Sequence, residues 1–280
     1  MSLTPRSLLF LPATRADRFE KALASGADLV ILDLEDAVPP AEKDKGLATA
    51  LDLLRAHGGV AGDRIAVRVN DSTTDRGRAD LAALADPKLA LAAVLLPKAG
   101  SAQDVVGAAG ALEAMGRRAR LIPLIETALG LAHCEAIAVA SDRIVALMLG
   151  GVDLTAELGA TLEWDALLYA RSRIVHAAAL AGLATVDTPS LEVTDFAAVG
   201  REAGAVARLG FTGKAAIHPA QLPPIHAAFT PDEEDVERAR RILKAFDDSK
   251  GGPVLVDGKM VDPPVVKSAQ RTLARAGRPR

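Results

Sequence analysis

LIPLIETALGLAHCEAIAVASDRIVALMLGGVD, residues 121–153, holds two apolar runs that each end in a carboxylate. The first, Leu121 to Ile125, leads into Glu126; the second, Ile144 to Leu149, runs through Gly150-Gly151-Val152 into Asp153. Short, nearly uninterrupted apolar runs separated by a helix-length segment predict parallel strands buried on both faces. A carboxylate at the C-terminal end of such a strand stands where barrel enzymes keep their active sites. Two of them, from neighbouring strands, make a pair of hard oxygen ligands suited to Mg²⁺. The plainer alternative has Glu126 starting one helix and Asp153 capping the next. Their pairing at matching strand ends favours the metal site.

The same pattern extends outward in both directions. Strands are predicted at residues 7–12, 29–34, 64–70, 93–97, 120–125, 144–149, 184–187 and 214–218. Ala-rich segments with helical periodicity fill the intervals, at 17–24, 40–56, 77–84, 101–115, 131–140, 164–181 and 194–209. Regular alternation of this kind means βαβ units and a parallel sheet. Eight units at this spacing predict a closed (β/α)₈ TIM barrel, with an open doubly wound sheet as the alternative. No Gly-rich dinucleotide fingerprint follows the first strand, and no Walker-type loop occurs. Gly150-Gly151 stands alone, and close approach of the backbone to a ligand is enough to explain it.

The 280 residues carry a net charge of −3, with 25% charged and only 3% aromatic residues. A core built from them must be aliphatic, and the charge balance argues against a nucleic-acid or membrane-surface protein. A single cysteine, Cys134, fits helix packing in a reducing cytoplasm. The run Ser7 to Pro12 after Arg6 imitates a signal peptide but is too short, and charge returns at Arg15, Asp17 and Arg18. No stretch reaches the roughly 18 apolar residues of a membrane span.

After Pro231 the character changes. The barrel is expected to occupy residues 1–229, and a C-terminal helix–hairpin–helix extension residues 230–280. Its first helix, 232–248, is strongly charged, with Thr230 as N-cap and Pro231 at its first position. A hairpin turned at Asp257-Gly258 follows, then a last helix at 265–276 and a basic tail.

Each predicted strand ends in polar chemistry: Asp33-Leu34-Glu35-Asp36, Arg68-Val69-Asn70, Pro97-Lys98, Asp187 and His218. An arginine facing two carboxylates and a metal has an evident partner, a substrate carboxylate gripped bidentately. Its alternative is an internal ion pair with Glu35 or Asp36. Lys98 and Lys214 are candidate Schiff-base nucleophiles or anion binders. The histidines show no zinc-like spacing, and His218 is expected to make a structural hydrogen bond.

These residues carry a resemblance. Arg6-Ser7-x-Leu9-Phe10-x-Pro12, Leu32-Asp33-Leu34-Glu35-Asp36-Ala37-Val38, Val67-Arg68-Val69-Asn70, Pro123-Leu124-Ile125-Glu126-Thr127, Gly151-Val152-Asp153-Leu154 and Gly213-Lys214-x-x-Ile217-His218-Pro219-x-Gln221 resemble the citrate lyase β-subunit-like family. That family belongs to the HpcH/HpaI aldolase superfamily, with the malyl-CoA and citramalyl-CoA lyases. The resemblance implies Mg²⁺, or Mn²⁺ in its place, on Glu126 and Asp153, and Arg68 on the keto-acid carboxylate, with Glu35 and Asp36 as further substrate-binding residues. It implies that Arg15 and Lys21 meet the phosphates of a CoA or acyl-carrier thioester. It extends into Gly258-Lys259-Met260-Val261-Asp262, whose aspartate moves a proton at the thioester methyl carbon of a neighbouring subunit.

The expected reaction is cleavage of a citryl-, malyl- or citramalyl-type thioester to a 2-keto acid and an acetyl thioester, or the reverse condensation. Arg68 offsets developing charge and Asp262 protonates the enolate carbon. A homo-oligomer, a trimer or a hexamer of trimers, follows from an extension that can cover a neighbour's barrel mouth. Three rivals are a CoA-free class II aldolase, a Schiff-base aldolase, and a carrier-dependent subunit inactive alone.

Overall fold

In the computed structural model, which describes residues 3–114, 116 and 118–277, eight parallel strands close into one barrel. They are β1 Ser7–Pro12, β2 Leu29–Asp33, β3 Ile65–Arg68, β4 Ala93–Leu96, β5 Leu121–Ile125, β6 Ala146–Leu149, β7 Ala184–Asp187 and β8 Gly213–Ala216. Each pairs with the next in chain order, and β8 returns to β1. Closure removes the open doubly wound sheet from consideration.

The helices on the outside are α1 Phe19–Ala24, α2 Lys43–Ala61, α3 Asp75–Leu84, α4 Ala102–Glu113, α5 Ala128–Ala132, α6 Cys134–Ala138, α7 Gly151–Leu158, α8 Trp164–Ala181, α9 Phe196–Leu209 and α10 Leu222–Phe229. The expected helix at 101–115 spans Ala102–Glu113, between caps at Ser101 and Ala114, and Met115 lies outside the described residues. The expected helix at 131–140 is two short helices. His133 between them leaves the helical region, and its ring Nδ1 sits 2.8 Å from the Gly100 carbonyl. Helix α10 has no counterpart in the sequence-based expectation, and α7 has one only in the alternative with Asp153 as its cap.

The barrel interior is filled by alternate strand residues, among them Leu8, Ile31, Leu95, Ile122, Leu124, Met148 and Val186. They are aliphatic, as a chain with few aromatics requires, and they pack as the interior layers of such a barrel do. Cys134 is buried in α6, and burial pushes its thiol up to about 12, which leaves it inert.

Residues from His226 onward form a separate compact unit. It contains α11 Glu233–Asp248, a two-stranded hairpin of β9 Val254–Val256 and β10 Lys259–Val261, and α12 Pro263–Ala276. The cap of α11 is not Thr230 but Asp232, whose Oδ1 accepts the Asp235 N–H at 2.8 Å. A carboxylate satisfies that orphan donor and complements the helix dipole. Asp257 and Gly258 both take positive φ, 49° and 73°, as a two-residue hairpin turn requires. Part of the basic tail lies outside the described residues. Among the described residues no helix is long and apolar enough to cross a membrane.

Candidate active site

The C-terminal ends of the strands surround a cavity of about 560 Å³. Asp33, Asp36, Arg68, Glu126 and Asp153 form its polar side, and Phe10, Leu124 and Met148 its apolar side.

Glu126 follows β5 directly and is almost wholly buried. It does not cap the next helix, because Thr127 does, its side chain accepting the Gly130 N–H. Room for the carboxylate exists because residue 150 is glycine. A Cβ there would lie 2.3 Å from Glu126 Oε2 and 2.4 Å from Glu126 Cβ. The backbone at Gly150 therefore approaches a side chain of this chain, in the wall of the cavity. Asp153 stands in the first turn of α7, past the cap position held by Gly150.

Lys98 ties Glu126 in place. It adopts φ 52°, in the left-handed region that non-glycine residues rarely occupy. That conformation points its backbone N–H at Glu126 Oε1, 2.7 Å away, while its Nζ donates to Glu35 Oε1 at 2.6 Å. Burial works against the Lys98 charge, but the bond to Glu35 holds the amine above its ordinary range. A protonated amine pinned by a carboxylate is a poor Schiff-base nucleophile. Lys214 is fully buried against Asp187, and its amine meets no solvent.

The ladder register sets Asp33 directly beside Arg68. Arg68 Nε and Nη2 each donate to Asp33 at 2.7 Å, so the Nε–Nη2 edge is taken. Nη1 lies 2.8 Å from Glu35 Oε2, an ion-pair contact without hydrogen-bond geometry. The expected internal ion pair is thus present, and its main partner is Asp33. Donors on Nη1 and the second N–H of Nη2 remain for another carboxylate. Burial opposes the Arg68 charge, yet the bond to Asp33 and the charges of Asp33 and Glu35 keep it firmly protonated, with the Phe10 ring 5.1 Å away.

Glu126 pays electrostatically for its position: burial, then the charges of Glu35 and Asp153, push its carboxyl up to about 8. A pair of carboxylates so placed calls for a cation. Among the described residues no three His, Cys, Asp or Glu side chains gather as a metal cage. Two hard oxygen ligands beside an open cavity suit Mg²⁺, which keeps several positions for water and substrate oxygens. The donor set therefore fits the metal.

Other expected residues are placed as follows. Glu35 is buried between Arg68 and Lys98, while Asp36 is exposed and lines the cavity. Arg15 forks onto Asp17 at 2.8 and 2.7 Å, and Lys21 is exposed on α1. Of the basic residues in this region, it is Arg18 that lines the cavity. Asp262 belongs to the C-terminal unit, where its Oδ1 accepts the Val265 N–H and caps α12. His218 Nδ1 accepts the Ala220 N–H, a structural bond. Lys43, which no sequence pattern marks, donates to the Leu34 and Glu35 carbonyls and to Asn70 Oδ1, at 2.6–2.8 Å.

Residues 6–219 match the family model HpcH/HpaI aldolase/citrate lyase. The chain belongs to that family. It is 33% identical to the citrate lyase subunit beta of Haemophilus influenzae, over 97% of this chain and 96% of that one. To the L-malyl-CoA/beta-methylmalyl-CoA lyase of Cereibacter sphaeroides it is 34% identical, over 97% and 94%. The crystal structure of protein CitE from Mycobacterium tuberculosis in complex with magnesium, acetoacetate and coenzyme A superposes with a TM-score of 0.83, at 36% identity, over 99% of this chain and 100% of that one. Members of this aldolase and lyase family thus share the barrel described above.

Proposed function

We propose that this chain is a Mg²⁺-dependent carbon–carbon lyase that cleaves a β-hydroxyacyl thioester to a 2-keto acid and an acetyl thioester, or runs the reverse condensation. One observation carries the reading: Glu126 and Asp153, from adjacent strand ends, line one cavity with the protonated guanidinium of Arg68. The family relationship and the CoA and magnesium in the related CitE structure support it.

Glu126 and Asp153 hold the cation. Once bound, it supplies Lewis acidity to the oxygens of the keto-acid half. Arg68 binds the carboxylate of that half through the donors that Asp33 leaves over, and Asp33 and Glu35 keep the guanidinium from turning. As the hydroxyl gives up its proton to solvent water and the carbon–carbon bond breaks to leave the keto acid's carbonyl, the bond's electron pair passes to the thioester as an enolate. Arg68 offsets the negative charge, and Asp262 protonates the enolate carbon. Phe10, Leu124 and Met148 keep one wall of the cavity dry. Arg15 and Lys21, with Arg18 between them, meet the thioester's phosphates.

Asp262 serves a neighbour's barrel, in a cytoplasmic homo-oligomer built from trimers. The hairpin beside it exposes Leu255 and Met260, paired across the ladder and 72% and 67% accessible, which suits a surface covered by a second copy.

The test is direct. Incubation with Mg²⁺ and malyl-, citramalyl- or citryl-CoA should release a keto acid, and EDTA should stop it. Failure with all three, together with tight binding to an acyl-carrier protein, would instead assign a carrier-dependent subunit.

A further inference from the structure

Behind the side of the cavity formed by β7 and β8 lie four charged side chains that the proposed reaction does not use. Asp187 and Lys214 face each other in the ladder, both fully buried. Lys214 Nζ donates to Asp187 Oδ2 and to the Thr188 carbonyl, each at 2.7 Å, and lies 3.1 Å from Glu202 Oε1. Arg171, on α8, donates Nε to Asp187 Oδ1 at 2.9 Å and reaches Glu202 Oε1 at 3.3 Å. Two cations balance two anions. Buried ion pairs of this kind are weak contributors to stability, because desolvation offsets their attraction. An apolar cluster of equal volume would pack as well, but it could not grip the Thr188 carbonyl.

That grip matters because of what Thr188 does next. Its Oγ1 accepts the Gly151 N–H at 3.1 Å, with both groups buried. Gly151 opens α7, and Gly150 at the cap position has no side chain to offer. The first turn of α7 therefore takes its cap from the residue that follows β7. The fit is close, since a Cβ on Gly151 would lie 3.0 Å from Thr188 Cγ2. Asp153 stands two residues further along in the same turn.

We propose that Thr188, held by Lys214 and Asp187, is a positioning residue for Asp153: its hydroxyl fixes the first turn of α7 and so the direction in which Asp153 presents its carboxylate to a divalent cation. The inference rests on the reading of Asp153 as a metal ligand. Groups that orient metal ligands typically contribute about 10- to 100-fold to metal affinity.

The test is calorimetric titration of the substrate-free protein with Mg²⁺, alongside thermal unfolding. Thr188→Val keeps the shape and the charge balance but removes the acceptor; its Kd for Mg²⁺ should rise at least about tenfold with little change in Tm. Thr188→Ala serves the same purpose if valine is not accommodated. Thr188→Ser, which keeps the hydroxyl, should bind Mg²⁺ nearly as the unmodified protein does. In an Asp153→Asn background, Thr188→Val should have little further effect, because the two act through one carboxylate. Unchanged affinity in Thr188→Val, failure of serine to restore it, or full additivity with Asp153→Asn would each overturn the proposal. These outcomes leave the metal site itself standing. If Asp153→Ala binds Mg²⁺ normally, the metal reading fails, and this inference with it.

Discussion

Glu126 holds its proton unusually tightly, because burial and the neighbouring charges of Glu35 and Asp153 disfavour its ionised form. Its folded value of about 8 lies above the ordinary 4.5, so near neutrality the metal-free carboxyl is largely protonated. A cation must displace that proton. Mg²⁺ affinity should therefore fall about tenfold per pH unit as pH drops below 8, with about one proton released per ion bound. Titration from pH 6 to 8.5 in buffers of different ionisation enthalpy measures both; a flat affinity would mean that Glu126 is already ionised. Arg68 has a different sensitivity. Arg68→Lys replaces a fork that spans Asp33 while offering donors elsewhere with a single ammonium, which cannot do both. The expected loss is at least about a hundredfold in kcat/KM for every keto acid in the condensation direction. Near-normal rates would reduce Arg68 to a structural partner of Asp33.

Two short elements carry the site residues whose surroundings were hardest to foresee. The turn from β6 into α7 works only with glycine at 150. Gly150→Ala would drive a methyl group into the Glu126 carboxylate, so it should weaken Mg²⁺ binding and cost about 1–3 kcal/mol of stability. Thermal unfolding and metal titration of the one variant report both. At the start of α12, Asp262 combines a structural role with a proposed chemical one, and the two can be separated. Asparagine caps a helix as well as aspartate does but offers no carboxyl proton. Asp262→Asn should keep the Tm and lose lyase turnover, whereas Asp262→Ala should also lower stability by about 1 kcal/mol. Normal turnover by Asp262→Asn would remove this residue from the reaction.

For the molecule as a whole, the decisive matter is assembly. The C-terminal residues form their own compact unit with its own two-stranded sheet, outside the closed barrel. If Asp262 acts on a neighbour, Asp262→Ala and Asp153→Ala proteins should each be inactive alone and regain activity when subunits exchange. In an equimolar mixture of a closed ring, about a quarter of the sites would combine both unmodified residues. Activity assays after mixing, with sedimentation to measure size, test this. A fully active monomer would exclude shared sites.

Periodicity favoured eight βα units and a barrel but left an open doubly wound sheet possible, which only the pairing of β8 with β1 removed; the carboxylates after residues 125 and 152 stand out because strand ends are where polar groups reach solvent. Strand β1 and helix α8 agree with their predicted bounds because proline or glycine sits at or just beyond their ends. Helix α7 is legible in the sequence only through the alternative in which Asp153 caps it, and its actual cap comes from Thr188, 37 residues away. Asp33 and Arg68, like Asp187 and Lys214, are neighbours only through strand register, which no local pattern encodes. Lys98 takes a left-handed backbone that its residue type does not announce, and Arg18 rather than Arg15 or Lys21 lines the cavity. Local chemistry decides which residues stand at the mouth of the barrel. Only closure of the sheet decides which of them meet, because hydrogen-bond register and packing are properties of strands far apart in the chain.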